Sequence, residues 1–268
     1  MGTRAWFSNI ITQVHHHDIP IKTLTLFTGL TIIQFLSLLF IVTQSLFFLN
    51  ITVNIATLIL VAIITYATLV GSLFFEFSHT GEMKPALRKA ARLSCIVVFC
   101  IIAIFAVSIL FANTFIDPTW DSNVYHKPYS IFFVNGWNPT LMDNPPALFG
   151  GKIQGLDIQG DGTGGNYPKA AELIASYIYL LTNSLESVKA INLIIAFTAL
   201  AIAIVTIIQF LPENRILAVI IALIGTFNPI WVPQSPQFYI DGFYSEIFFI
   251  IICLFLLFLK GESKQYIL

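Results

Sequence analysis

The stretch LSCIVVFCIIAIFAVSILFANTF, residues 93–115, carries no charged side chain. A transmembrane α-helix needs about 20 consecutive, mainly apolar residues, so this stretch predicts a membrane-spanning helix. The whole chain has the same character, with 57% hydrophobic and only 10% charged residues. Soluble domains carry about 25% charged residues. The sequence therefore predicts an all-α, polytopic membrane protein, and its net charge of −1 gives no support for nucleic-acid binding.

Five other apolar runs have the length or the composition of membrane helices. The six predicted spans are residues 24–49, 51–75, 93–115, 188–211, 216–232 and 244–259. The first two are separated only by Asn50, which predicts a helical hairpin with a tight turn. The last two are short, and their ends are the least well determined.

Basic residues predict the orientation of these helices, because cytoplasmic loops carry an excess of Lys and Arg. Lys84, Arg88, Lys89 and Arg92 crowd the loop between the second and third spans. The other basic residues on that side are Arg4, Lys22, Arg215, Lys260 and Lys264. The bias predicts a multi-pass protein of the cell (inner or plasma) membrane with both termini in the cytoplasm. Residues 1–92 would form a helical hairpin and a basic cytoplasmic loop, and residues 93–268 a transmembrane module with an outer loop at 116–187.

The candidate site begins directly after the 93–115 run, where residues 117–126 read DPTWDSNVYH. Asp117 is predicted to cap a helix that starts at Pro118, which would place Asp117, Asp121 and Tyr125 on one face. An ionised Asp121 can accept a proton from a sugar or protein hydroxyl. For Trp120, an anchor at the membrane interface is favoured over a platform for a sugar ring. His126 and Lys127 either offset the charge of a phosphate or are solvated loop residues.

The rest of the outer loop adds a glycine-rich stretch and a second helix. The stretch 150–165 contains Asp157 and Asp161 and is interpreted as a loop over the site, with metal binding the less favoured alternative. Tyr167, Lys169 and Glu172 open a helix expected to lie along the membrane surface. The free backbone N–H groups at the N-terminus of this helix, together with Lys169, would suit a bound phosphate. An ordinary helix cap with no ligand explains the same residues equally well.

The second outer loop, residues 228–242, is polar and aromatic and lies on the predicted outer side. It contains Gln234, Tyr239 and Asp241, and we expect it to close over the same site as Asp121. Asp241 stands at the head of an apolar helix, where an acid is either a functional group or a helix cap.

These motifs, taken in order, resemble the GT-C superfamily of integral-membrane glycosyltransferases, most closely the branch of protein mannosyltransferases and aminoarabinose transferases. The resemblance covers about residues 93–260. Its motifs are a long apolar helix followed by Trp120-Asp121 and Tyr125-His126, then Tyr167-Pro168-Lys169 with Glu172, then Asn228-Pro229 with Gln234 and Tyr239-Ile240-Asp241-Gly242. Members of the superfamily usually have more helices after this region and often a soluble C-terminal domain. The chain would accordingly be a minimal member, a partial chain or a non-catalytic remnant that assembles with a second membrane subunit.

The resemblance implies transfer of a sugar from a polyprenyl-phosphate donor to an acceptor glycan, lipid or protein at the outer membrane face. It implies Asp121 as the catalytic base and Asp117 as a second acid. The predicted substrate-binding residues are Trp120, Tyr125, His126, Tyr167, Lys169, Glu172, Gln234, Tyr239 and Asp241. The sequence identifies no cofactor, although a divalent cation is one candidate for meeting the phosphate charge.

A non-enzymatic hypothesis stands beside this one. The chain would then be a membrane subunit, or a transporter-like protein, that binds a partner or a glycan through its outer loop. Transport pathways usually need acidic residues inside the bilayer. Only Glu76, near a helix end, comes close to that position in the sequence. The scarcity of acidic residues inside the predicted spans weakens the hypothesis of a transporter-like protein more than the hypothesis of a membrane subunit.

Overall fold

The computed structural model describes residues 21–78, 83–142, 152–153, 156–157, 170–229 and 231–263. The elements are α1 (Ile21–Phe47), α2 (Ile55–Ser78), α3 (Met83–Thr114), a π-helical turn (Ser122–His126), α4 (Lys127–Val134), β1 (Lys152–Ile153), β2 (Leu156–Asp157), α5 (Ala170–Thr182), a 3₁₀ turn (Glu186–Lys189), α6 (Ala190–Phe210), α7 (Arg215–Thr226), α8 (Trp231–Gln234) and α9 (Ile240–Ser263). The two short strands pair antiparallel. The architecture is that of a helical membrane protein.

Five helical segments of the described chain are long and apolar enough to cross a membrane. They are Ile21–Phe47, Ile55–Ser78, Met83–Thr114, Glu186–Phe210 and Ile240–Gly261. Helix α3 is a single helix of 32 residues, so the basic stretch predicted as part of the loop between the second and third spans forms its first turns. The chain is therefore a multi-pass protein by the length and composition of its helices.

Helices α1 and α2 form a hairpin, and the tight turn predicted at Asn50 is present. Asn50 adopts a φ of 58°, a left-handed conformation that asparagine tolerates better than most residues. Helix α2 begins at Ile55, four residues later than predicted, because Asn54 caps it: the Asn54 side-chain oxygen accepts a hydrogen bond from the Thr57 N–H at 3.0 Å.

Helix α6 lies at the centre of the bundle. In the most apolar 18-residue part of the span that contains α6, 72% of the residues are buried, whereas the corresponding fractions are 22% in α2 and 17% in α3. Helix α6 packs against α1, α3, α7 and α9. The peripheral helices instead turn large apolar side chains outward, for example Phe99, Ile102 and Leu110 on α3. Such an outward apolar surface is suited to lipid rather than water.

Helices α6 and α9 run parallel to each other. Near their first turns, the Asn192 side-chain amide donates to the carbonyls of Gln237 and Tyr239, both at 3.0 Å. Near their last turns, the Lys260 ammonium lies 4.6 Å from the centroid of the Phe210 ring. The segment between them, which contains α7, must therefore carry the chain back to the end where both helices begin.

Helix α7 is shorter than the predicted span at 216–232. It has 12 residues and ends at Thr226. The reason lies in Asn228-Pro229, because proline cannot donate a backbone hydrogen bond and disfavours helical geometry in the residue before it. At 1.5 Å per residue the helix is about 18 Å long, less than the roughly 30 Å of a bilayer's hydrocarbon core.

Gly29 allows α1 to approach α6 closely. A Cβ atom at this position would lie 2.8 Å from Cγ1 of Ile202, a contact that forces a backbone or side-chain shift. We expect Gly29→Ala to destabilise the protein by about 1–3 kcal/mol, the usual cost of overpacking. Gly71→Ala is the matched control, since no atom lies within 4 Å of the added Cβ. Thermal unfolding in detergent measures both, and equal unfolding temperatures would contradict the close helix contact.

Candidate functional site

A cluster of buried charged residues lies at the end of the bundle where α3 ends and α6 and α9 begin. Its first member is Asp117, which is 2% exposed. One carboxylate oxygen accepts the Thr119 N–H at 3.0 Å and the Thr119 hydroxyl at 2.6 Å, and the other accepts the Phe238 N–H at 2.8 Å. Asp117 thereby joins the segment after α3 to the segment before α9.

These donors determine the ionisation of Asp117. Burial alone would raise the pKa of the carboxyl, but the nearby Ser122 hydroxyl and hydrogen bonds from the Thr119 hydroxyl and from the N–H groups of Phe238 and Thr119 outweigh it and lower the pKa. The carboxylate is consequently ionised and fully engaged as an acceptor. It does not cap a helix beginning at Pro118, as the sequence predicted, because the helical turns start at Trp120. Asp117 instead closes the turn that precedes that helix.

Two fully buried lysines share the carboxylate of Glu186 beside Asp117. The Lys127 ammonium lies 2.7 Å from Oε1, and the Lys189 ammonium lies 2.6 Å from Oε2. Lys127 also donates to Oδ1 of Asn123 at 3.1 Å, and Lys189 donates to the Phe115 carbonyl. The formal charges of the two lysines, Glu186 and Asp117 cancel. This buried ion cluster ties α4, the 3₁₀ turn and the end of α3 together.

Asp121 and Tyr239 meet at the edge of the cluster. Asp121 is partly exposed, and its carboxylate lies near enough to the Tyr239 hydroxyl for its charge to act on the phenol. Desolvation, the negative charge of Asp121 and the charge of Asp117 together raise the pKa of Tyr239. Tyr239 is therefore neutral at physiological pH. This proximity places the segment before α9 beside the segment after α3, next to an acid that keeps access to solvent.

His126 and Glu172 form a second pair of predicted site residues. Nδ1 of His126 lies 2.8 Å from Oε1 of Glu172, and the two side chains are 12% and 1% exposed. The histidine ring also lies against Phe238, with ring centroids 5.5 Å apart. Oε2 of Glu172 has no hydrogen-bond partner among the described residues. The carboxylate fixes the orientation of the imidazole and leaves Nε2 as the ring nitrogen available to a ligand.

The other predicted site residues are distributed differently. Trp120 is 63% exposed, which suits an interface anchor, and Asp241 is also exposed. Gln234 is partly buried near the start of α9. Tyr167, Lys169 and Asp161, and the side chains of Tyr125 and Asp157, lie outside the described part of the structure. Helix α5 is described only from Ala170.

Sequence reasoning missed the ion cluster around Glu186. One signal was available in the sequence, because Glu186 and Lys189 stand three residues apart at the head of a long apolar run. Charges at such a boundary indicate either a solvated helix end or a buried pair. The distant partners of Glu186, which are the Lys127 ammonium and the Asp117 N–H, have no local sequence signature.

No group of three or more His, Cys, Asp or Glu side chains suited to a metal ion occurs in the part of the chain that the structure describes. Comparison of the chain with protein-family models, with curated proteins and with solved structures gave no match.

The depressed pKa of Asp117 predicts an acid-sensitive fold. Its ionised carboxylate stabilises the folded state above the ordinary pKa of 3.8, and this contribution is lost as the pH falls from 3.8 through the lower folded-state pKa. In Asp117→Asn the amide can present a donor to the Phe238 N–H, so we expect a loss of about 2 kcal/mol at pH 7. The difference from wild type should shrink below pH 3.8.

Unfolding temperatures measured across pH 2–8 check this expectation. Glu213→Gln changes an exposed acid in the loop before α7 and serves as the control. A stability difference between Asp117→Asn and wild type that stays constant down to the lowest pH would contradict the ionised, hydrogen-bonded carboxylate.

Proposed function

We propose that the chain is a membrane glycosyltransferase that moves a sugar from a polyprenyl-phosphate donor to an acceptor at the external membrane face. The observation that carries this proposal is the proximity of Asp121 to Tyr239. It places side by side two loops that the sequence assigns to one side of the membrane, and it leaves a partly exposed carboxylate where three long helices begin or end. The resemblance of the same residues to the GT-C superfamily supports the reaction type.

In this mechanism Asp121 is the general base. The acceptor hydroxyl oxygen attacks the anomeric carbon of the donor sugar, and its proton passes to the Asp121 carboxylate. The bond from that carbon to the phosphate oxygen breaks, and the bonding electrons leave with the lipid phosphate. The attack inverts the configuration at the anomeric carbon. Tyr239, as a neutral phenol beside Asp121, would donate a hydrogen bond that orients the carboxylate in the reacting complex.

The geometry favours Asp121 over Asp117 for this role. A base needs a lone pair that can reach the substrate hydroxyl. Both Asp117 oxygens accept hydrogen bonds from protein groups and the residue is 2% exposed, so its contribution is to position the loop. The catalytic role predicted for Asp117 thus becomes a positioning role in the proposal.

His126 is the best-supported candidate for meeting the leaving phosphate. Glu172 holds its Nδ1, so Nε2 faces away from the pair, where an imidazolium would donate to a phosphate oxygen. Lys127 is unsuited to that task because it is 0% exposed and already bonded to Glu186. A divalent cation remains a candidate for sharing the phosphate charge, and the assay below tests it.

The proposal includes the membrane arrangement. The basic first turns of α3 lie on the cytoplasmic side, as do both termini, and the Asp121 end of the bundle faces outward. The parallel course of α6 and α9 supports a sixth crossing through α7 and its flanking residues. The acceptor, a glycan, lipid or protein, approaches from the external side.

The direct test is a transfer assay with the purified chain in proteoliposomes. Radiolabelled polyprenyl-phosphate mannose and polyprenyl-phosphate glucose serve as donors, and added membrane extract supplies the acceptor. We expect release of polyprenyl phosphate together with label in the acceptor fraction, measured with and without EDTA. Tight donor binding without any transfer would overturn the enzymatic proposal and favour the glycan-binding subunit.

A further inference from the structure

Helix α3 begins with a basic cluster, which lies at the end of the bundle opposite Asp121. The basic cluster consists of Lys84, Arg88, Lys89 and Arg92, and all four residues are exposed. Helix α3 contains no acidic residue. None of the four side chains forms an ion pair within the part of the chain that the structure describes. The described residues thus leave these positive charges without a counter-charge.

The basic cluster lies on the side of α3 that faces away from the other helices. On the packed side, Ala90, Leu93 and Val97 are buried among apolar residues of α1 and α2. Arg88 stands two residues from both Ala86 and Ala90, which are themselves buried. At 3.6 residues per turn, a separation of two residues places Arg88 on nearly the opposite side of the helix. The charged side chains are therefore directed toward the surroundings of the bundle.

The basic cluster continues directly into the lipid-facing surface of α3. Phe99 follows Arg92 by seven residues, and Leu110 follows Phe99 by eleven. These separations are close to two and three whole turns, so the three residues lie along one line of the helix. Phe99 is 71% exposed and Leu110 is 68% exposed, which marks this line as a surface for acyl chains.

The length of α3 places the basic cluster at the level of the lipid headgroups. The helix has 32 residues and is therefore about 48 Å long, whereas the hydrocarbon core is about 30 Å thick. The uncharged stretch at 93–115 fills the core, because charged side chains are costly inside it. The turns before residue 93 consequently emerge from the core among the headgroups.

The arrangement of the charges calls for an anion from outside the chain. Lys84, Arg88 and Arg92 follow one another at four-residue spacing, and like charges at this spacing destabilise a helix. The first turn of α3 contains no acidic residue, although the positive end of a helix favours one. A negatively charged headgroup offsets both effects. Basic clusters of about this size next to a membrane helix are suited to anionic lipids.

We propose that the first turns of α3 bind the headgroup of an anionic phospholipid. The guanidinium groups of Arg88 and Arg92 donate hydrogen bonds to the phosphate oxygens, a geometry for which arginine is well shaped. An acyl chain of the same lipid packs along Phe99. A soluble polyanion would meet the same charges but would make no contact with the apolar line, so the geometry favours a lipid. The surface is separate from the Asp121 site and does not depend on glycosyl transfer.

The test counts lipids bound to the full-length protein by native mass spectrometry in a neutral detergent. Dioleoyl phosphatidylglycerol is the anionic probe, and dioleoyl phosphatidylcholine is the neutral probe with the same acyl chains. We expect wild type to bind the anionic lipid more than tenfold more tightly. Arg88→Gln and Arg92→Gln should each weaken that preference about fivefold, the effect of one basic residue near a lipid surface.

Arg215→Gln is the matched control. It removes one exposed positive charge at the same end of the bundle, where α7 begins directly after the last turn of α6. We expect it to keep the wild-type preference, and an unchanged unfolding temperature of each variant shows that it folds.

Three outcomes would contradict the lipid surface. Equal losses in Arg88→Gln and Arg215→Gln would assign the effect to the charge of the whole end. Equal wild-type binding of the two lipids would leave the basic cluster only a role in orienting the chain. Equally tight binding of glycerophosphoglycerol, the headgroup without acyl chains, would point to a soluble polyanion instead.

Discussion

Asp121→Asn is expected to reduce glycosyl transfer by about 10²–10⁴-fold, the range that a positioned general base contributes. Asparagine keeps the size of the side chain, but it cannot take up the acceptor proton. Affinity for the polyprenyl-phosphate donor should be nearly unchanged, because the substitution removes the proton acceptor rather than the lipid-phosphate partner His126. Initial transfer rates at saturating donor measure the effect.

Two further variants distinguish a catalytic role from a structural one. Glu213→Gln alters an exposed acid at the opposite end of the bundle and should transfer sugar at the wild-type rate. Tyr239→Phe removes the hydroxyl beside Asp121, so we expect a smaller loss together with a shifted pH–rate profile. Full activity of Asp121→Asn would remove Asp121 from the reaction. A parallel loss of unfolding temperature would assign it a structural role instead.

The largest effect on stability is expected for Glu186→Gln. The side chains of Lys127 and Lys189 are 0% exposed, and each has Glu186 as its only carboxylate partner among the described residues. The substitution leaves two buried ammonium groups without their carboxylate partner, and we expect a loss of about 3 kcal/mol, the lower end of the range for breaking a buried pair, because Glu186 itself is 25% exposed. Heating in detergent followed by size-exclusion chromatography measures the midpoint of unfolding.

A triple variant tests the cause of that loss. Glu186→Leu combined with Lys127→Met and Lys189→Met removes all three charges and keeps similar volumes. Replacing a buried ion cluster by apolar side chains is often neutral or stabilising. We therefore expect the triple variant to be clearly more stable than Glu186→Gln. If the triple variant is the less stable protein, packing or hydrogen bonds to the neighbouring carbonyls dominate over the uncompensated charge.

Much of the helical framework could be predicted from the sequence, because a bilayer imposes a minimum length on apolar runs. The predicted span at 188–211 agrees with α6 within two residues at its start and one at its end. The span at 216–232 does not agree with α7, since Pro229 breaks the run while the surrounding residues stay apolar. Hydropathy alone cannot separate a continuous helix from an interrupted one.

The site was predictable only in outline. The position of Asp121 after an apolar run and the polar character of residues 228–242 were visible in the sequence, and the structure brings Asp121 and Tyr239 close together. The engagement of Asp117 was not visible, because one of its donors, the Phe238 N–H, lies 121 residues away. Tertiary hydrogen bonds of this kind decide which of two nearby acids remains open to a substrate.

The central position of α6 has a consequence for how the chain tolerates change. Positions along α6 face protein on most sides, so their side-chain shapes are constrained individually. The outward positions of α2 and α3 need only remain apolar, and many different residues satisfy that requirement. Random substitution should therefore be accepted freely along the outer helices, provided it adds no charge, and rejected along the middle one.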